Sequence, residues 1–215
     1  SKRKINKIYK KQKGGSCDDY HKLTGKKLCS ETHNYYIGNC FAGSNFFIYS
    51  LCEDKELNKC DSALLKIYQL NRWLKPKKIN KEASYMKRAY DLGVSPRFIG
   101  VDYCNYDDIE YGLISIERYG EGTLKDLYKN KEFFDSHKEE IIQKLREILN
   151  TLYENNIYHN DLHSKNFLYK IDEHGELEFK IIDFDLSYDL NEHERDYKIH
   201  MLDDSDQTIE LLNVE

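Results

Sequence analysis

Apolar positions along the chain fall into two kinds of pattern. Between residues 34 and 120 they form short runs: NYYIGN, NFFIYSLC, SALLKIYQL, FIGVDYC and YGLISIE. Runs of this length, rich in Ile, Tyr and Phe and bounded by turn-forming residues, predict strands. One helical stretch interrupts them. In INKEASYMKRAYDL, residues 79–92, Ile79, Glu82, Met86 and Ala89 share a face, and Gly93 with Pro96 stops the helix. From 137 to 156 the period becomes 3.6: Ile141, Ile142, Leu145, Ile148, Leu149, Leu152 and Tyr153 predict the clearest helix of the chain. Thr123 is placed to cap a short helix, LKDLYK. Further on, FLYKI and ELEFKII alternate around Asp172-Glu173-His174-Gly175, which predicts a hairpin. Two last helices are expected around 191–202 and 204–212.

A hairpin folds back on itself. It therefore brings the loop before its first strand, HNDLHSKN, to the end of its second, where Asp183 follows EFKII. Asp161, Asn166 and Asp183 are expected to converge there. Such a set suits Mg²⁺, a hard cation that takes one or two carboxylates and keeps other positions for water and phosphate. Asn166 and Asp183 are the expected ligands. Asp161 is then free to accept a proton from an attacking hydroxyl. The competing reading is a polar loop with coincidental acids.

Three upstream features have bland readings when taken alone. Gly38 and Gly43 bracket a loop between two strands; glycines let a main chain approach an anion closely, but a pair of them in a hairpin also makes an ordinary turn. Lys66 lies inside the apolar run ALLKIY, where a lysine often snorkels to solvent. Glu82 is an acid on an apolar stripe. Buried, it needs a partner, and Lys66 is the natural one; at the rim it would face water.

The order of the polar motifs resembles a known family. His159-Asn160-Asp161 with Asn166, followed by Asp183-Phe184-Asp185, resembles H-R-D-x-x-x-x-N and D-F-G of the protein-kinase-like superfamily. The HxDLHxxN form with IDFD is closer to the KEOPS-complex kinase, Rio kinases, and aminoglycoside and choline kinases. The resemblance covers about residues 34–190. It implies an α+β, two-lobed fold with a small antiparallel-sheet lobe and a reduced helical lobe. It implies that Gly38 and Gly43 belong to a phosphate-covering loop, that Lys66 pairs with the phosphates and with Glu82, and that an adenine bonds to the backbone near Glu117 and Tyr119. The departures are Cys40 for the middle glycine of the loop, Leu64 for the Ala before Lys66, His163 for a Lys, Asp185 for the Gly of D-F-G, and no A-P-E. Only thirty residues follow Asp185. That brevity resembles compact KEOPS-type and Rio kinases, or a truncated chain. The implied activity is ATP- and Mg²⁺-dependent transfer to a hydroxyl, on protein Ser/Thr by family frequency. The alternatives are a small-molecule kinase and a pseudokinase acting as a binding or structural module.

Composition adds limits. The 215 residues are 40% hydrophobic and 13% aromatic, enough for a core. The net charge of −5 is uneven: residues 1–30 carry ten Lys/Arg against two Asp, or +8, leaving −13 for the rest. The expected organisation is a basic extension over 1–33, one lobe over 34–118 and a second over 119–215. Residues 1–15 read as a solvated arm, with a nuclear-targeting signal or contact with nucleic acid or an acidic partner as the sharper alternatives. No stretch is apolar enough to span a membrane, and no apolar core follows the basic start as in a signal peptide. Six scattered cysteines without a CxxC predict free thiols in a reducing compartment, hence an intracellular protein of cytoplasm or nucleus. The richness in Lys, Asn, Ile and Tyr suggests an AT-rich genome such as that of a large DNA virus, which would place the chain in a host cell or virion. Cys17/His21 and Cys29/His33 are each spaced i, i+4 and offer four ligands for a structural Zn²⁺. Their seven-residue spacer fits no finger pattern, so chance spacing is the competing reading.

Overall fold

The short apolar runs of the first half pair into one sheet. A computed structural model describes residues 23–29, 35–41, 47–60 and 63–191. The chain divides into two compact units, Ser1–Ile79 with Ile99–Arg118, and Asn80–Phe98 with Tyr119–Glu215. In the first unit the strands are β1 (Tyr36–Phe41), β2 (Phe47–Cys52), β3 (Ala63–Gln69), β4 (Phe98–Tyr106) and β5 (Ile109–Glu117), in the order β1-β2-β3-β5-β4. The pairs β1/β2, β2/β3 and β3/β5 are antiparallel. Between β4 and β5, Asp107 and Asp108 have φ of 54° and 61°. Two successive positive φ values are what a type I′ hairpin turn requires.

Side chains two apart on a strand share a face. Tyr49 and Leu51 on β2, with Ala63, Leu65 and Ile67 on β3, accordingly pack into one core with Ile37 and Leu113. Residues 23–29 add Leu23 and Leu28 to that core. This segment is tied to both edges of the sheet. Gly25 N–H donates to the Ile37 carbonyl and Ile37 N–H donates to the Lys26 carbonyl, on the β1 side, while Cys29 is disulfide-bonded to Cys104 of β4.

A second bridge, Cys52–Cys60, closes the connection from β2 to β3, and Cys40 of β1 is disulfide-bonded as well. No described cysteine is free. The expectation of free thiols is therefore corrected. The partners Cys29 and Cys104 are separated by 75 residues, so only the folded sheet brings them together. Loop-closure entropy makes that bridge worth about 4.5 kcal/mol, against about 2.5 for the eight-residue Cys52–Cys60 loop. The zinc expectation is corrected too, because the Cys29 sulfur is spent in a disulfide. Cys17, His21 and His33 lie outside the described residues, as do the basic arm, Gly43 and the two C-terminal helices.

Gly38 lies inside β1, at an irregularity in its pairing with β2, and not in a loop. A β-carbon there would fall on the Ser50 hydroxyl and the Cys52 sulfur, so the strand needs a glycine for close packing. After β3, the Asn71 side chain accepts from the N–H groups of Trp73 and Leu74 and shapes a tight bend. Trp73 stands 76% exposed on it, with the Arg72 guanidinium 4.6 Å from its ring. The predicted helix follows as α1 (Pro76–Asp91). Its stripe is buried as expected: Ile79, Glu82, Met86 and Ala89 are all 3% exposed or less.

The second unit continues with β6 (Gly122–Thr123), α2 (Leu124–Leu127), α3 (Lys131–Ser136), α4 (Lys138–Glu154), β7 (Ile157–Tyr158), β8 (Phe167–Ile171), β9 (Leu177–Ile181) and β10 (Tyr188–Asp189). Thr123 caps α2 in a reciprocal box with Asp126, as expected. The Asp126 carboxyl is held down to about 2 by its bond to Lys129 and by Thr123. The pattern gave no hint of α3, which buries only Phe134 and is started by the Asn130 side chain. The core of this unit is the predicted face of α4, with Ile141, Leu145, Ile148, Leu149, Leu152 and Tyr153 buried. The predicted hairpin forms with Phe167 opposite Ile181, and Gly175 supplies φ +82° at its turn. Arg88 of α1 bridges to the Asp189 carboxylate and the Asn155 carbonyl, tying α1 to the end of α4.

Candidate active site

The polar loop begins where α4 ends. Asn156, with φ 61°, turns the chain out of the helix. β7 then pairs with β10 and anchors the next residues. His159 is fully buried. Its Nε2 donates to the Ile182 carbonyl at 2.9 Å, and its ring meets Phe184 edge to face at 4.8 Å. A carbonyl can only accept, so the Nε2 carries the proton. Burial pushes the His159 pKa below its ordinary value, which keeps the ring neutral. Ser187 donates to the His159 carbonyl. This histidine is a structural pin between the loop and the end of β9. Asn160 then takes φ 62°, which asparagine tolerates better than most residues.

The hairpin closes the site as its topology requires. Asn166 precedes β8 and its carbonyl accepts from Ile182 N–H at 2.9 Å, extending the ladder by one rung. Asp183 comes next, with φ 71°. A non-glycine residue in this region is strained and is found at functional sites. Phe184 is buried, and the turn that follows β9 leaves Asp183 and Asp185 on either side of it half-exposed. The carboxylates of Asp161, Asp183 and Asp185 offer oxygens that all lie within 4.8 Å of one another. Like charges this close repel, and a divalent cation relieves the repulsion.

Asn166 is 4% exposed and its amide is oriented by the loop. Its Nδ2 donates to the Asp161 carbonyl at 2.9 Å and to Asp161 Oδ2 at 3.2 Å. Its Oδ1 is left without a hydrogen bond among the described residues. Oxygen donors of this kind fit magnesium better than zinc or copper. His163 lies beside the cluster. Its Nδ1 accepts from Lys165 N–H, so Nε2 carries the proton, 3.6 Å from Asp161 Oδ2. The Lys165 side chain is exposed.

The structure thus brings Asp161, Asn166 and Asp183 together within the second unit. It adds Asp185, which the sequence marked only as standing where D-F-G has its glycine. Glu82 is also in the second unit, on α1, and is 2% exposed. Lys66 is in the first unit. It lies on the face of β3 opposite the core, with Leu64 and Tyr68, and is 7% exposed. Its ammonium sits 5.5 Å from the Tyr68 ring centre. Glu117 ends β5. Tyr119, in the second unit, donates from its hydroxyl to Glu178 at 3.0 Å.

Comparison with known proteins reaches the same region. A family model described as the protein kinase domain matches residues 51–207, well over half of the chain. A stretch of 118 residues is 29% identical to a probable serine/threonine-protein kinase of Dictyostelium discoideum. That stretch is 52% of this chain and 17% of the relative, so the chain spans only a small part of that protein. The α+β architecture, the geometry of the loop 159–166 and the family match agree: the chain belongs to the protein kinase domain family.

Proposed function

We propose that the chain is an ATP-dependent phosphotransferase of the serine/threonine protein kinase type, moving the γ-phosphoryl group of Mg-ATP to a hydroxyl. The observation that supports this most is the meeting of Asn166 and three aspartates at the mouth of one hairpin. Asn166 Oδ1 and the Asp183 carboxylate would hold Mg²⁺, with Asp185 in reach as a further oxygen donor. Magnesium, when bound, neutralises charge on the phosphates. Asp161 Oδ2 is engaged by Asn166, which leaves Oδ1 for the proton of the acceptor hydroxyl. Lys66, with Glu82 as its proposed partner, orients the phosphates. Gly43, in the connection after β1, belongs to the phosphate cover, and the backbone near Glu117 and Tyr119 receives the adenine. Most of the rate then comes from positioning and charge.

A second reading is a pseudokinase, a binding or structural module on the same fold that does not engage Mg-ATP. It is favoured by Cys40, which stands in β1 where the resembled motif has its middle glycine and is covalently tied. Melting with Mg-ATP, with ATP alone and with Asp183→Asn separates the two. A ligand at 100 times its Kd stabilises by about 2.7 kcal/mol. The kinase reading expects that shift with Mg-ATP and its loss in Asp183→Asn. An unchanged melting temperature in millimolar Mg-ATP would leave the binding-module reading.

A further inference from the structure

We propose that this chain acts with its disulfides closed, in an oxidising compartment, and that its acceptor is a hydroxyl on an exported polypeptide met there. The proposal rests on the phosphotransferase reading above and names its substrate class.

Cytosolic thiols are kept reduced, and a protein built for that environment does not rely on several structural bridges. Here every described cysteine is bonded: Cys29 to Cys104, Cys52 to Cys60, and Cys40. These are not chance surface pairs. Cys29, Cys52 and Cys60 are all 9% exposed or less, and Cys29 is packed in the sheet core beside Tyr49 and Leu65. Their placement is selective as well. All six cysteines of the sequence fall in the first unit, and residues 80–98 and 119–215 contain none.

The bridges also have a job that the backbone leaves undone. Residues 23–29 cover the sheet core, yet their described backbone bonds to the sheet go only to Ile37 on β1. The link to the far edge strand, β4, is covalent. Beneath that cover lie Ala63, Leu65 and Ile67 of β3, and the opposite face of the same strand carries Lys66. Opening the bridges would release the cover, loosen β3 and unseat the lysine that orients the phosphates. Oxidised cysteines are thus part of what makes the sheet competent to hold nucleotide.

The reaction is complete without a redox partner. The acceptor oxygen bonds to the γ-phosphorus and the bond from that phosphorus to the β-γ bridging oxygen breaks. ADP leaves, and the hydroxyl proton passes to Asp161 and then to water. ATP and an acceptor must therefore both reach the compartment in which the bridges persist. A competing account is a redox switch, in which bridges form and open in a reducing compartment while the enzyme works in either state.

The test uses the full chain made through a secretory route. Denatured in excess alkylating reagent without reductant, it should show no labelling of Cys29, Cys40, Cys52, Cys60 or Cys104, and its digest should contain linked 29–104 and 52–60 peptides. Dithiothreitol should abolish the Mg-ATP melting shift. Radiolabel from γ-labelled ATP should enter proteins of a secreted fraction and not those of a cytosolic fraction. Alkylation of these cysteines in chain that binds Mg-ATP, equal Mg-ATP shifts with and without reductant, or label confined to cytosolic proteins would each overturn the proposal. A fully bridged chain with no Mg-ATP shift would instead sink the phosphotransferase reading and leave the bridges standing.

Discussion

One unit of this protein presents Lys66 on a strand whose other face is packed beneath a disulfide-tied segment. The other unit presents Asp161, Asn166 and Asp183 with no cysteine at all, from a loop pinned by buried His159 and by a backbone bond from Ile182 to Asn166. The difference follows from what each unit can bury. A 17-residue helix with six large apolar side chains gives the second unit a core that a short hairpin can dock on. The five-stranded sheet has no such helix on its core face among the described residues. Among the described residues its cover is the segment 23–29, held by backbone bonds to Ile37 of β1 and by the Cys29–Cys104 bridge. Where burial is small, covalent closure substitutes for it.

Five changes would break or sharpen this contrast. The largest effect is expected on chemistry and not on stability. Asp161→Asn should lower phosphoryl transfer about 10²–10⁴-fold while Mg-ATP binding and melting stay near wild type. Single-turnover transfer beside a melting curve checks it, and full activity in the variant would remove Asp161 as the base.

Stability should then respond unit by unit. Replacing Cys29 and Cys104 together by Ser should cost the first unit about 4.5 kcal/mol and release hydrogen-exchange protection in β1 and β4, leaving α4 protected. Leu149→Ala should do the reverse. Truncating a fully buried leucine costs about 2–5 kcal/mol, with exchange rising in β8, β9 and the catalytic loop, and reductant should not add to it. Equal loss of protection in both units from either change would mean that they unfold as one body.

Acid supplies a milder probe of the second unit. His159 titrates in the unfolded chain near its ordinary 6.5, and lower than that when buried. Between those values the unfolded state binds more protons, so stability is full above pH 6.5 and falls as the pH drops below it. Melting by circular dichroism from about pH 8 to about pH 5 reads this, and His159→Asn should flatten the slope. Smallest of all is the α2 cap. Thr123→Ala should cost about 1 kcal/mol. Asp126 is depressed to about 2 from an ordinary 3.8, by Lys129 first and by Thr123 second, so the stability this carboxylate contributes is present above pH 3.8 and lost as the pH falls toward 2.

Much of this architecture was legible from residue order. Short apolar runs announced the strands of the sheet, the 3.6-residue run of α4 announced the second core, and the turn at Asp172–Gly175 was enough to predict that Asn166 and Asp183 meet. The stripe containing Glu82 was legible for the same reason. What stayed hidden depends on contacts between distant segments. Six cysteines allow fifteen pairings, and nothing local to Cys29 points to Cys104. Gly38 resembled a loop glycine because its real constraint is the packing of Ser50 and Cys52 from the neighbouring strand. Helix α3 was hidden because one buried phenylalanine makes no period.

Trp73 has an optical consequence. It is the only tryptophan in the sequence, and it projects from the bend after β3 at 76% exposure, beside a guanidinium. Its emission is already that of an indole in water. Heating or denaturant will therefore move the emission maximum very little, and a fluorescence melt followed at that wavelength would record a stable-looking baseline while both cores come apart. The same isolation makes the indole a local lamp. Anything that covers the bend between β3 and α1 should shift its colour to the blue or dim it under an added quencher, against a background with no second tryptophan to dilute the signal.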